Sequence, residues 1–321
     1  MEQQAEAEEP QREVSLEEAM AIAILFQKNE QLAEAEQLYG KILEAAPNHP
    51  DVLHYAGVLA HQRGRSDEGV SLIQRSLQLE PDRADCYNNL GIIFKAQGRL
   101  DDAVAAYRRA IEIEPDHANA YNNLGILLRA QRRLVEAEEA YRTAIRLDPG
   151  HVDAYHNLGV LLASLKRTQE AVVCFCTVTT LSPRHPATRR LLAVAYCTLG
   201  QPQKAVEIFE RWLEEEPDNA VARHMLAACS GRDIPARASD AFVETTFDAF
   251  AASFDAKLMK LSYQAPALIG ALLADSGVEA SKRLDILDAG CGTGLCGSYL
   301  LPYARTLTGV DLSGGMLAEA K

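Results

Sequence analysis

The chain keeps time in steps of 34 residues. Tyr87-Asn88-Asn89-Leu90-Gly91 returns as Tyr121-Asn122-Asn123-Leu124-Gly125 and again as Tyr155-His156-Asn157-Leu158-Gly159. Pro47, Pro81, Pro115, Pro149, Pro183 and Pro217 hold the same interval. A fixed period of this length builds a quasi-one-dimensional stack, in which each unit is a supersecondary element that buries its apolar face against its neighbours.

Placing each of those prolines at position 32 divides the chain into six units: 16–49, 50–83, 84–117, 118–151, 152–185 and 186–219. Ser15 and Glu18 have capping-box spacing ahead of the first helix. Positions 4, 7, 8 and 11 hold Tyr87, Leu90, Gly91 and Phe94, or Tyr121, Leu124, Gly125 and Leu128, an apolar stripe at helical spacing. Gly98 or Gly200 at position 15 ends that helix. A second helix carries Ala103, Tyr107 and Ala110, or Ala137, Tyr141 and Ala144, and the proline stops it by disfavouring a helical preceding residue. Small residues at position 8 (Gly57, Gly91, Gly125, Gly159, Ala193) let the two helices approach closely; Ser76 and Trp212 depart from the small residue at position 27. Residues 220–230 read as a solitary closing helix, which a solenoid end requires.

This pattern resembles the tetratricopeptide repeat (TPR), over about two thirds of the chain. The resemblance implies an all-α superhelix with its partner surface on the first helices. Positions 2, 5, 6, 9, 12 and 13 share a face that avoids the apolar stripe. Position 6 holds Asn89, Asn123 and Asn157, and aliphatic Val58, Ile92, Ile126, Val160 and Val194 stand at position 9. An amide side chain both donates and accepts, so such a row suits the backbone of an extended peptide, as in related superhelices. The plainer alternative is a solvated polar face. Lys95 and Arg129 at position 12 would add a preference for acidic peptides. Replacing Asn89, Asn123 and Asn157 together by alanine is expected to abolish capture of a partner and leave helicity and melting nearly unchanged.

The net charge of −13 speaks against nucleic acid, whose phosphates want clustered cations. Within residues 1–18 seven carboxylates face Arg12 alone, so 1–14 reads as an acidic disordered tail. Seven cysteines at irregular spacing suit free thiols in a reducing cytoplasm. Cys174 and Cys176 point to different sides of a helix, which favours packing over metal binding. His49, His117, His151 and His185 all fall at position 34, but equivalent atoms in stacked helices lie roughly 8–10 Å apart and do not converge on one ion. They read as loop or helix-start residues, and no metal site is expected. Neither a signal peptide nor a bilayer-spanning apolar run is visible.

After Gly231 the beat stops. Residues 231–283 read as a linker containing Pro235 and a helical lead-in. Phe247, Phe250 and Phe254 lie on one amphipathic helix over 240–255, and a second helix covers roughly 267–274, closed by Gly277. Leu284–Ala289 reads as a strand that runs into Gly290-Cys-Gly292-Thr-Gly294. A helical segment follows from Leu295, and Thr306–Asp311 reads as a second strand ending in a carboxylate. Glycines permit a tight turn and close backbone approach, and an acidic residue about 20 positions on can hold a ribose diol. An unrelated glycine turn or a dinucleotide site, which favours G-x-G-x-x-G, are the competing readings.

The run Asp288-Ala-Gly-Cys-Gly-Thr-Gly294 resembles motif I of class I S-adenosylmethionine-dependent methyltransferases. That resemblance implies a Rossmann-like domain of which 284–321 supplies the first βαβ portion. By it, Gly290, Gly292 and Gly294 approach the methionine part of S-adenosylmethionine, Asp288 supports the loop or the amino group, Asp311 binds the ribose hydroxyls and Met316 touches adenine. The lead-in helices, with Tyr263, would pack beside the cofactor, as in bacterial proteins joining TPR arrays to methyltransferases. Families of this kind have seven strands, so the stretch as given is expected to bind the cofactor weakly or not at all and to be inactive. Two functions remain open: a cytoplasmic methyltransferase with a TPR recruitment module, or a non-catalytic TPR adaptor for a protein or extended peptide.

Overall fold

The computed structural model describes residues 15–320; the expected acidic tail, 1–14, lies outside the described residues. The chain divides between Thr188 and Arg189 into two compact units.

In the first unit α1 (Leu16–Lys28) pairs with α2 (Leu32–Ala45), α3 (Pro50–Gln62) with α4 (Ser66–Leu79), and α5 (Ala84–Ala96) with α6 (Leu100–Ile113). Next, α7 (Ala118–Ala130) pairs with α8 (Leu134–Leu147), and α9 (Val152–Ser164) with α10 (Thr168–Leu181). Every first helix has 13 residues and every second helix 14, so the helix boundaries repeat the sequence interval. Ser15 and Glu18 form the capping box expected of α1. Between the helices of each pair the residue at position 15 is left-handed: Glu30, Gly64, Gly98, Arg132 and Lys166, with φ from 61 to 83°. Only glycine adopts this region without a Cβ penalty, so the turn is imposed by helix packing even where glycine is missing. At the other end, Ala46, Glu80, Glu114 and Asp148 precede the prolines with ψ between 75 and 96°, the extended conformation a following pyrrolidine enforces.

Tyr39, Tyr107, Tyr141 and Phe175 from the second helices are almost fully buried. The rings of Tyr107, Tyr141 and Phe175 explain Gly91, Gly125 and Gly159 at position 8, while Gly57 is held small by Ile73 and the Gly69 carbonyl. A Cβ on Gly91 would lie 2.5 Å from Cε1 of Tyr107, so the ring is seated directly on the backbone of the first helix. Ser76, also buried, donates its hydroxyl to the Pro50 carbonyl at 2.8 Å.

The second unit opens on α11 (Pro186–Thr198), which crosses the division, α12 (Pro202–Glu215) and the closing helix α13 (Ala220–Ser230). Ala193, Ala205, Phe209, Trp212 and Ala222 form their core. Trp212 is thereby a packing residue, with the Arg189 guanidinium 5.8 Å from its ring centre.

The lead-in departs from expectation. Instead of one helix over 240–255, α14 (Asp240–Asp248) gives way to a single 3-10 turn (Ala251–Ser253), followed by α15 (Phe254–Lys260). The break folds the three phenylalanines onto one another, with ring centres 5.3 to 6.2 Å apart, which a straight helix does not allow all three at once. Tertiary packing overrides the local period here. Next, α16 (Ala265–Asp275) carries Pro266 in its first turn and is followed by Gly277 at φ 76°. The strand β1 (Leu284–Ala289) pairs in parallel with β2 (Ala304–Val310), Ala289 standing opposite Val310. The expected helix from Leu295 is reduced to α17 (Gly297–Leu300), because turn bonds from Gly294 N to Cys291 O and from Gly297 N to Gly294 O occupy the preceding residues. The short α18 (Gly314–Glu319) closes the described chain. Among the described residues no helix is long and apolar enough to cross a membrane.

Candidate functional site

The position-6 asparagines form a row built across repeats. Asn123 Nδ2 donates to Asn88 Oδ1 and Asn157 Nδ2 to Asn122 Oδ1, both at 3.0 Å, while Asn89 Nδ2 lies 2.8 Å from His54 Nε2. Each bond runs from position 6 of one unit to position 5 of the unit before. His54, Asn88 and Asn122 are buried, so position 5 belongs to the seam between repeats and not to the open face on which the sequence pattern had placed it. Burial, with Arg83 nearby, holds the His54 imidazole down at about 4. It is neutral near pH 7, and its Nε2 accepts from Asn89. The row is therefore oriented by the fold: one N–H of each half-buried amide of Asn89, Asn123 and Asn157 is tied down to the preceding repeat, and each side chain has a second N–H and its Oδ1 besides. Ile92, Ile126 and Val160 flank it half-buried. Lys95 and Arg129 are half-buried as well, and among the described residues no ion pair engages them.

The position-34 histidines are helix N-caps. His117 and His151 accept the backbone N–H of Ala120 and Ala154 through Nδ1, and His185 accepts that of Thr188. His117 Nε2 reaches Asp85 at 3.1 Å. Capping thus accounts for His117, His151 and His185, whereas His49 holds the N-cap position of α3 without a side-chain capping bond.

In the second unit the glycine loop is a tight turn, with φ of 81° at Gly290, 54° at Gly292 and 80° at Gly294. Gly290 N and Cys291 N both donate to the Val310 carbonyl, extending the parallel ladder into the loop. Asp311 then organises it: one oxygen accepts from Gly292 N and the other from Ser313 N, each at 2.9 Å. Asp288, Gly290, Gly292, Asp311 and Met316 come together along a cavity of about 700 Å³. Gly294 does not line it, since it turns back to bond the loop's own carbonyl. Facing the loop across the cavity are Phe247, Phe254 and Tyr263 from the lead-in.

Two residues the sequence pattern did not single out hold that wall in place. Asp248 accepts from the Ser313 hydroxyl and from Gly315 N, and these bonds hold its carboxyl below the usual aspartate range. Asp255 accepts from the Thr293 hydroxyl. Both lie about 40 to 65 residues from their partners, and the only local signal was Ser313, a helix cap with a hydroxyl proton to donate. Burial and the nearby Asp288 carboxylate push the Cys291 and Cys296 thiols up, which keeps them protonated and poor nucleophiles.

The first unit is thus a stack of helix pairs with an oriented amide row, the architecture of a helical-repeat protein. Tetratricopeptide repeat models match residues 51–116, 88–151, 140–173 and 162–229, which together take in more than half of the chain. The chain is a tetratricopeptide repeat protein. Among solved structures it is similar to Pseudomonas aeruginosa PilF (14% identity, 66% of this chain and 97% of that one, TM-score 0.58). It is similar to PilW, described as a widely conserved type IV pilus biogenesis factor (17%, 66% and 98%, TM-score 0.58). A third likeness is to the Cut9–Hcn1 hetero-tetramer of the APC/C (17%, 67% and 42%, TM-score 0.57). At these identities the likeness is one of fold. No curated protein sequence matches the chain.

Proposed function

We propose that the repeat array is a protein-interaction module that receives an extended segment of a partner along Asn89, Asn123 and Asn157. The observation that carries this reading is the amide row: its side chains are fixed in direction by bonds to the preceding repeat, yet each keeps a donor and an acceptor for a peptide backbone. Half-buried Ile92, Ile126 and Val160 supply apolar contact beside it, and Lys95 with Arg129 give the face a preference for carboxylate-bearing segments. A displayed library of extended peptides tests this. Peptides enriched on the wild-type chain should lose at least about tenfold in affinity for Ile126→Glu, which introduces a repulsive charge beside the row, while circular dichroism stays unchanged. Equal capture by a folded Ile126→Glu variant overturns the reading.

A second reading concerns the cavity of the second unit: that it belongs to a methyltransferase portion and takes S-adenosylmethionine. The convergence of Asp288, Gly290, Gly292, Asp311 and Met316 on one cavity supports it. The donor set fits such a group. Each Asp311 oxygen uses one lone pair within the loop and has another for a hydroxyl, and Asp288 offers acceptors for an amino group. Phe247, Phe254 and Tyr263 present aromatic surface suited to a cationic or planar ligand. Bound, the sulfonium would supply an activated methyl group; the chain's residues would bind and orient it. With only two strands carrying the loop the affinity is weak, so S-adenosylmethionine should slow alkylation of Cys291 and Cys296, which line the same cavity, only at millimolar concentration. Unchanged alkylation at millimolar concentration overturns the reading. The adaptor function of the array stands independently of that result.

A further inference from the structure

The closing helix meets the last repeat through a pair of thiols. Cys197, near the end of α11, and Cys229, near the end of α13, place their sulfurs 3.3 Å apart, closer than the two would sit if each merely filled its own space. Both are half-buried and both are free thiols. They border the core formed by Phe209, Trp212 and Ala222. Packing does not demand sulfur here. The same two positions, 32 residues apart, hold His61 with Ile93, Lys95 with Leu127, Arg129 with Leu161 and Ala163 with Ala195 in the preceding repeats. At the closing helix both positions carry a thiol.

We propose that Cys197 and Cys229 are a redox-modification site that takes a low-molecular-weight disulfide as oxidant and closes an intramolecular bond fastening α13 to α11. One thiolate attacks a sulfur of the small disulfide, breaking its S–S bond and releasing one small thiol. The second protein thiol, on losing its proton, attacks the mixed disulfide and releases the other. Two protein thiols give up two electrons and two protons, and one small disulfide becomes two thiols. The sulfurs are already in contact, so the second attack is intramolecular over a short path. Burial and the neighbouring Cys197 push the Cys229 thiol up to about 11, which keeps that thiol protonated near neutrality. Exchange through the Cys229 thiolate therefore accelerates as pH rises. The bond ties down the helix on which the lead-in rests, where His224 of α13 stacks on Phe242 of α14 at 3.9 Å.

The test uses the full chain and oxidised glutathione. Titration should find two of the seven thiols consumed, with the chain two hydrogens lighter and a single linked peptide pair containing Cys197 and Cys229. The oxidised chain should melt at a higher temperature than the reduced one. Cys197→Ser and Cys229→Ser should each retain the remaining thiols or stop at a glutathione adduct. Should either variant fold poorly, differential alkylation of the wild-type chain before and after oxidation gives the same assignment. Seven free thiols persisting at alkaline pH, or a linkage mapped to other cysteines or between chains, overturns the proposal.

Discussion

At the scale of single residues, the amide row joins recognition to stability. Asn123 donates to Asn88 Oδ1, which is buried in the seam between repeats. Removing that donor leaves a buried acceptor unpaired, so Asn123→Ala should lower the unfolding free energy by about 1–3 kcal/mol in urea titration. The triple alanine variant, expected from the sequence to melt like wild type, should melt lower for the same reason. The sequence contained the cue, since polar residues stand at both positions 5 and 6 of successive units. It did not say that a side chain reaches back 35 residues to find its partner. Gly91 makes a sharper case. Its absent Cβ is the space that Tyr107 occupies, so Gly91→Ala should cost about 1–3 kcal/mol through overpacking. The double variant with Tyr107→Leu should recover part of that loss in a double-mutant cycle, because removing the ring vacates the space the methyl group needs.

At the scale of elements, many helix boundaries were legible because their signals are local: the Ser15 capping box, the turn glycines Gly64 and Gly98 and the prolines act within a few residues. The lead-in was not. Phe247, Phe250 and Phe254 have helical spacing, but the helix breaks between them, because a compact ring cluster and the Asp248 bonds to Ser313 and Gly315 outweigh continuing it. Those bonds depend on a charged carboxylate. Asp248 is held below its ordinary range when folded, so its contribution is present above the unfolded pKa of about 3.9 and is lost as pH falls through the folded value. The lead-in and α18 should therefore loosen together in acid. Asp248→Asn keeps an acceptor oxygen without the charge, and should flatten the acid limb of the second unit's melting profile. A profile identical to wild type would mean that the carboxylate does not hold this contact.

At the scale of the whole molecule, the two units are stabilised differently, and that sets what each can do alone. The array buries large rings against helix backbones in repeat after repeat, with contacts that span one or two units. Among the described residues the parallel pair β1–β2 has no such cover: Leu287 is 65% exposed, and Leu284, Val310 and Leu312 are exposed too. Parallel strands are ordinarily buried on both faces, and a two-stranded sheet is marginal in water. The glycine-loop motif could be read from sequence because its turn is encoded in a few residues; the stability of the sheet that presents it depends on surfaces that no short motif records. Hydrogen exchange should therefore separate the two parts. The amides of β1 that bond across to β2 should exchange at least about tenfold faster than those of Ile93 or Tyr107, because local opening exposes little further apolar surface in the first case and a packed core in the second. Covering the exposed strands, or filling the cavity beside them with a ligand that binds only the closed form, should slow exchange in β1 and β2 and leave α5–α8 unaffected. Equal protection of β1 and the array helices would show that the sheet draws its stability from a source other than its own burial.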